Sequence, residues 1–136
     1  MSAITTIFFD IGGVLLTNGW GRDSRRAAAD KFHLDWDEFS DRHEKLAQAL
    51  ETNRLTLEDY LDRAVFYRPR DFTREVFRDF VFAQSEAMPE SLAIAAELAS
   101  SHKYFMATIN NELLELNLYR IEHFGLRKYF PVFFSS

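Results

Sequence analysis

Two short runs of β-branched and aromatic residues stand near opposite ends of the chain, Ile4 to Asp10 (I-T-T-I-F-F-D) and Lys103 to Thr108 (K-Y-F-M-A-T). Neither alternates apolar with polar, which is how a strand buried on both faces reads. A third run, Val132 to Ser136 (V-F-F-S-S), closes the chain. Between the first two only helical periodicity is found, so the intervening stretch is an insertion on the connection between two strands. The order β, helical bundle, helix, β, helix, β implies an α/β fold with a Rossmann-like parallel sheet and an inserted helical bundle.

Turn chemistry places the boundaries. Gly12 and Gly13 break the chain after the first strand, and Thr17-Asn18-Gly19-Trp20-Gly21 supplies a hinge. Helices are expected near 23–33, 36–52, 57–66 and 73–84. Asp35 and Thr56 stand as caps three residues before Glu38 and Asp59, and the first pair matches a capping box. Leu57, Tyr60, Leu61 and Ala64 share one helical face, as do Val76, Phe77, Phe80 and Val81. Pro89 opens a further helix. Asn110-Asn111 is expected to cap a helix that runs to about Phe124 and stops at Gly125. The core is therefore expected from residues 1–16 and 88–136, with the helical lobe at 17–87.

Composition narrows the function. The 136 residues are 47% hydrophobic and 27% charged, the balance of a globular domain, and 14 Phe supply ample core. A net charge of −5 argues against a nucleic-acid partner. No apolar run reaches the ~20 residues of a membrane span and no signal peptide is read, so no membrane partner is expected and the cytoplasm is the expected compartment. With no Cys, thiol nucleophiles and Cys-based zinc sites are excluded.

Asp10 is the first candidate for chemistry. A carboxylate at a strand end, followed by two glycines, suits a nucleophile or metal ligand, but equally an Asp that accepts from its own loop amides. Thr108 ends the second strand, and ligands of open parallel sheets bind beyond the carboxyl ends of strands, so the two should face one crevice.

F-F-D-I-G-G-V-L-L at 8–16 resembles motif I of the haloacid dehalogenase-like (HAD) hydrolases, and M-A-T-I-N-N-E at 106–112 resembles their motif II. The inserted helices resemble the family's cap. The resemblance implies a Mg²⁺-dependent phosphatase acting on a small phosphorylated metabolite through an aspartyl-phosphate. Asp10 would be the nucleophile and a Mg²⁺ ligand, with the Gly12 carbonyl as a second ligand. Thr108 would bind a phosphoryl oxygen together with the Ile109 backbone N–H, and a helix beginning near Asn110 would add its dipole.

Departures from the pattern matter. Most phosphatases of the family carry a second Asp where this chain has Gly12, and loss of a general acid costs ~10²- to 10⁴-fold. The Asn that often follows the motif II Thr is Ile109 here, with Asn110 one place later. The resemblance also implies a later Lys and one or two acids completing the Mg²⁺ site, and the chain ends before them. The core is thus expected to lack its C-terminal part and to expose an apolar sheet edge at Ile4 to Phe9, open to self-association. Two rival readings follow: a metal-independent haloacid dehalogenase, with which Gly12 is compatible, and an inactive fragment or binding module. His33, His43, His102 and His123 lack metal-ligand spacing and read as surface or helix-end residues. Trp20 and Asn18 either touch substrate or pack the hinge; Arg25-Arg26 and Arg68-Arg70 either bind an anion or form a solvated face.

Overall fold

The computed structural model describes residues 3–135. Met1, Ser2 and Ser136, the ends of the predicted core segments, lie outside them. Strands β1 (Thr6–Phe9), β2 (Phe105–Asn110) and β3 (Val132–Ser135) form a parallel sheet in the order β1-β2-β3. Helices α1 (Arg22–Phe32), α2 (Trp36–Glu51), α3 (Leu57–Ala64), α4 (Arg74–Ala83) and α5 (Pro89–Ser100) all fall between β1 and β2, and α6 (Leu114–His123) joins β2 to β3. This is the α/β architecture with a helical insertion after the first strand that the strand spacing implies.

β1 is shorter than the apolar run because the chain leaves the sheet at Asp10. The Ile11 carbonyl accepts from the amides of Val14, Leu15 and Leu16, which curls the chain into a tight loop. Gly13 adopts φ 79 there, a conformation costly for a residue with a Cβ. β2 runs further than expected, since Asn110 still pairs with Ser135 of β3. The helix after it therefore starts at Leu114, four residues beyond Asn110, which corrects the expectation that Asn110-Asn111 caps it. Its Leu113 N-cap has no side-chain bond, and Asn53, in the turn after α2, accepts from the Leu114 amide at 2.9 Å.

Capping explains two further boundaries. Thr56 and Asp59 form the reciprocal box, Asp59 N donating to Thr56 Oγ1 at 3.1 Å and Thr56 N to Asp59 Oδ2 at 3.4 Å. At Asp35 only the forward bond forms, because the Glu38 carboxylate is engaged by Tyr67 and Arg68 instead. The capping box is thus at Thr56, where the sequence reading put it at Asp35.

Apolar burial divides into two clusters. One gathers the faces of α1 to α4 around Phe39, Tyr60, Leu61 and Phe77. The other fills one side of the sheet with Ile11, Leu15, Leu16, Ala95, Met106 and Phe130. Helix α6 serves both, through Leu116 on the first and Ile121 on the second. The opposite sheet face is open: Phe8 is 56% exposed, Ile109 54% and Phe134 49%, with the Phe8 and Phe134 rings 6.1 Å apart. The expected exposed edge at Ile4 to Phe9 is present, since β1 is an outer strand, and the apolar exposure continues across the whole face.

Candidate active site

The register sets the site. Phe9 pairs with Thr108, so Asp10 is the first residue past the sheet on one strand while Thr108 nears the carboxyl end of its neighbour. Asp10 is exposed, and its Oδ1 accepts from the following amide, Ile11 N, at 2.8 Å. The local amide contact anticipated for a loop Asp is therefore present, and the carboxylate still faces solvent. The loop that carries it is held at Gly12, which bridges to Leu16, and at Gly13, whose amide donates to the Leu16 carbonyl at 2.7 Å. A Cβ on Gly12 would lie 3.1 Å from Asn18 Oδ1, so the hinge Asn packs against this loop.

Thr108 is fully buried, yet its hydroxyl has no hydrogen-bond partner among the described residues. Leaving such a group unpaired costs about 1–3 kcal/mol, which a ligand oxygen reaching it would relieve. Asn110 is similar: its Nδ2 donates to Asn117 Oδ1 at 3.0 Å while its buried Oδ1 is unpartnered. Ile109 turns its side chain to the open sheet face, and its amide falls on the β1–β2 ladder beside the Phe9–Thr108 pair, so the N–H expected to meet a phosphoryl oxygen is engaged in the sheet. Asp10, Gly12, Thr108, Ile109 and Asn110 thus gather at one end of the sheet.

The donor set suits Mg²⁺ in one particular mode. Among the described residues no group of three or more His, Cys, Asp or Glu is placed to hold a metal. Asp10 and the Gly12 carbonyl offer oxygen ligands, and Mg²⁺ is commonly held by one or two carboxylates with water and substrate phosphate completing its octahedron.

One group near the site was missed from the sequence. Arg120 of α6 is fully buried, donating through Nη1 to Glu112 Oε2 at 2.8 Å and through Nη2 to the Thr17 carbonyl at 2.5 Å. Burial pushes Glu112 above the usual carboxylate range, with the Arg120 charge opposing it, and burial lowers Arg120. Asp10 contributes to the field at Arg120, so the guanidinium lies near the loop that carries Asp10. His43 is buried, which corrects its reading as a surface residue: it lines the helical cluster because Phe39, Leu46 and Leu50 share its face of α2. Trp20 is a packing residue of that cluster, its Nε1 donating to Tyr60 Oη at 2.9 Å. Arg25 donates to the Trp20 carbonyl and Arg70 to the Val65 carbonyl. Beside the hinge a pocket of about 530 Å³ is walled by Thr17, Asn18, Arg22, Ser24, Gln84 and Glu86.

In sequence, no family model and no curated protein matches the chain. In structure, the HAD family enzyme bt-2542 from Bacteroides thetaiotaomicron is similar, with a TM-score of 0.79 at 15% identity over 99% of this chain and 70% of that one. The same enzyme in complex with magnesium and inorganic phosphate matches with a TM-score of 0.74 at 14% identity, over 98% and 69% of the two chains. A HAD phosphatase from Thermococcus onnurineus gives a TM-score of 0.53 at 15% identity, over 96% of this chain and 61% of that one. Likeness at such identities speaks to architecture, and it agrees with the strand order and helical insertion found here: the chain has the fold of the HAD family enzymes.

Proposed function

We propose that the chain is a HAD-type phosphatase that hydrolyses a small phosphate monoester through an aspartyl-phosphate at Asp10. The observation that carries this reading is the buried, unpartnered Thr108 hydroxyl on the strand next to the one that presents Asp10. An apolar pocket has no use for that hydroxyl, whereas a phosphoryl oxygen satisfies it. The solved complex of bt-2542 with magnesium and inorganic phosphate lends support from a protein of the same fold.

In this reading an Asp10 oxygen attacks phosphorus, the bond to the leaving alcohol breaks, and water then cleaves the acyl phosphate, restoring the carboxylate. Thr108 donates to one phosphoryl oxygen, a preorganised contact that stabilises developing charge. Asp10 and the Gly12 carbonyl would hold Mg²⁺, which would supply positive charge to offset that of the transferred group. No carboxylate stands at Gly12, so the leaving alcohol takes its proton from another donor. The helices of 17–87 act as the cap of this site.

A panel of small phosphate monoesters with Mg²⁺ tests the proposal. Asp10→Asn is expected to lower turnover about a thousandfold or more, and Thr108→Ala about 10²- to 10³-fold. Turnover that survives Asp10→Asn contradicts it. Halide release from a haloacid without added metal favours the dehalogenase reading, and absence of any turnover favours a binding role.

A further inference from the structure

We propose that Arg120 is a positioning residue, a two-pronged clamp that fixes the first linker, and with it the helical lobe, over the Asp10 loop. The inference reaches past the phosphatase reading, because the clamp can be measured without turnover.

The position of Thr17 gives the clamp its reach. The Thr17 amide donates to the Glu86 carbonyl at 2.8 Å, and the Glu86 amide donates to Thr17 Oγ1 at 2.9 Å. Thr17 is therefore where the outgoing linker meets the returning one, and a bond to its carbonyl holds both. Arg120 makes that bond with Nη2 while Nη1 is anchored on Glu112, in the loop between β2 and α6. Gly19 shows how closely the linker is seated. A Cβ there would lie 2.5 Å from Arg120 Nη1 and 2.7 Å from Leu116 Cδ2, so the missing side chain is part of the fit.

Stability alone is a poor reason to bury this charge. Desolvation of both ions erodes what the Arg120–Glu112 pair gains, and a well-packed apolar side chain of similar volume often serves as well. Arg120 Nε is also buried with no partner among the described residues. What an apolar residue cannot supply is a fork of donors that grips two acceptors at a set angle.

The full chain carries the test in a Trp36→Phe background, where Trp20, next to Gly19, is the sole remaining indole of the two. Arg120→Met is expected to speed hydrogen exchange at the Thr17 amide by about tenfold or more and to shift Trp20 emission to the red while the helical signal is kept. Arg120→Lys is expected to show the same loss, since a single ammonium restores charge without the fork. Gly19→Ala, with Arg120 intact, is expected to reproduce both signatures. On any phosphate ester the wild-type chain turns over, Arg120→Met should raise KM more than it lowers kcat.

Unchanged Thr17 exchange and Trp20 emission in Arg120→Met overturn the clamp, as does full recovery in Arg120→Lys. Should Arg120→Met fail to fold, Gly19→Ala decides: unaltered exchange at Thr17 overturns the proposal. A wild-type chain that turns over no phosphate ester counts against the phosphatase reading, while the exchange and emission results still judge the clamp.

Discussion

The Tyr60 hydroxyl lies between two buried ring nitrogens, accepting from Trp20 Nε1 at 2.9 Å and lying 2.8 Å from His43 Nδ1. The arrangement that satisfies all three has the phenol donate its one proton to an unprotonated Nδ1, with His43 neutral. Burial, reinforced by the Arg25 charge, lowers His43 to about 4, in keeping with that state. An unfolded His titrates near ~6.5, so between about 6.5 and 4 the unfolded chain binds the extra proton. Stability is then greatest above about pH 6.5 and falls as pH drops toward 4, by on the order of 3 kcal/mol from this group. Denaturant titrations at several pH values should show that loss and its reduction in His43→Gln. A loss of equal size in His43→Gln contradicts the assignment. Phe39, His43, Leu46 and Leu50 fall on one helical stripe, a signal that was available in the sequence. Metal-ligand spacing alone does not reveal it. Arg120 is harder to read: its neighbours Leu116 and Ile121 mark a buried face, but nothing local shows that the carbonyl it needs belongs to Thr17, at the other end of the chain.

At the scale of elements, the helices are legible to within a few residues because periodicity and caps agree: 23–33, 36–52, 57–66 and 73–84 correspond to α1 through α4. Strand ends are less so, since pairing sets them. β1 stops where the Ile11 carbonyl turns back, and β2 extends as far as β3 gives it partners. The start of α6 could not be read locally, because its first amide is capped by Asn53 from another part of the chain. Apolar runs also do not tell whether both sheet faces are covered, and here one is open. Phe8, Ile109 and Phe134 lie side by side on adjacent strands. A contiguous apolar surface of this kind favours association, so sedimentation velocity should show self-association that grows with concentration. Phe8→Lys combined with Phe134→Lys should weaken it without loss of helical signal. A monodisperse monomer across the whole range contradicts this expectation.

For the whole molecule, the order of strands and helices points Asp10 and Thr108 toward the same end of a parallel sheet, and the register sets Asp10 one residue past Phe9, the partner of Thr108. The link between the two apolar clusters was not legible, because it is made by α6, by the crossing of Thr17 with Glu86 and by a buried ion pair. The chemistry turns on whether Asp10 becomes covalently phosphorylated. Acid quench of the chain during turnover of a phosphate ester, followed by peptide mass analysis, measures this directly. A phosphoryl group on Asp10, released by hydroxylamine and absent in Asp10→Asn, is the predicted result. Turnover with no phosphoryl group trapped on Asp10, or with one trapped on a different residue, would contradict it.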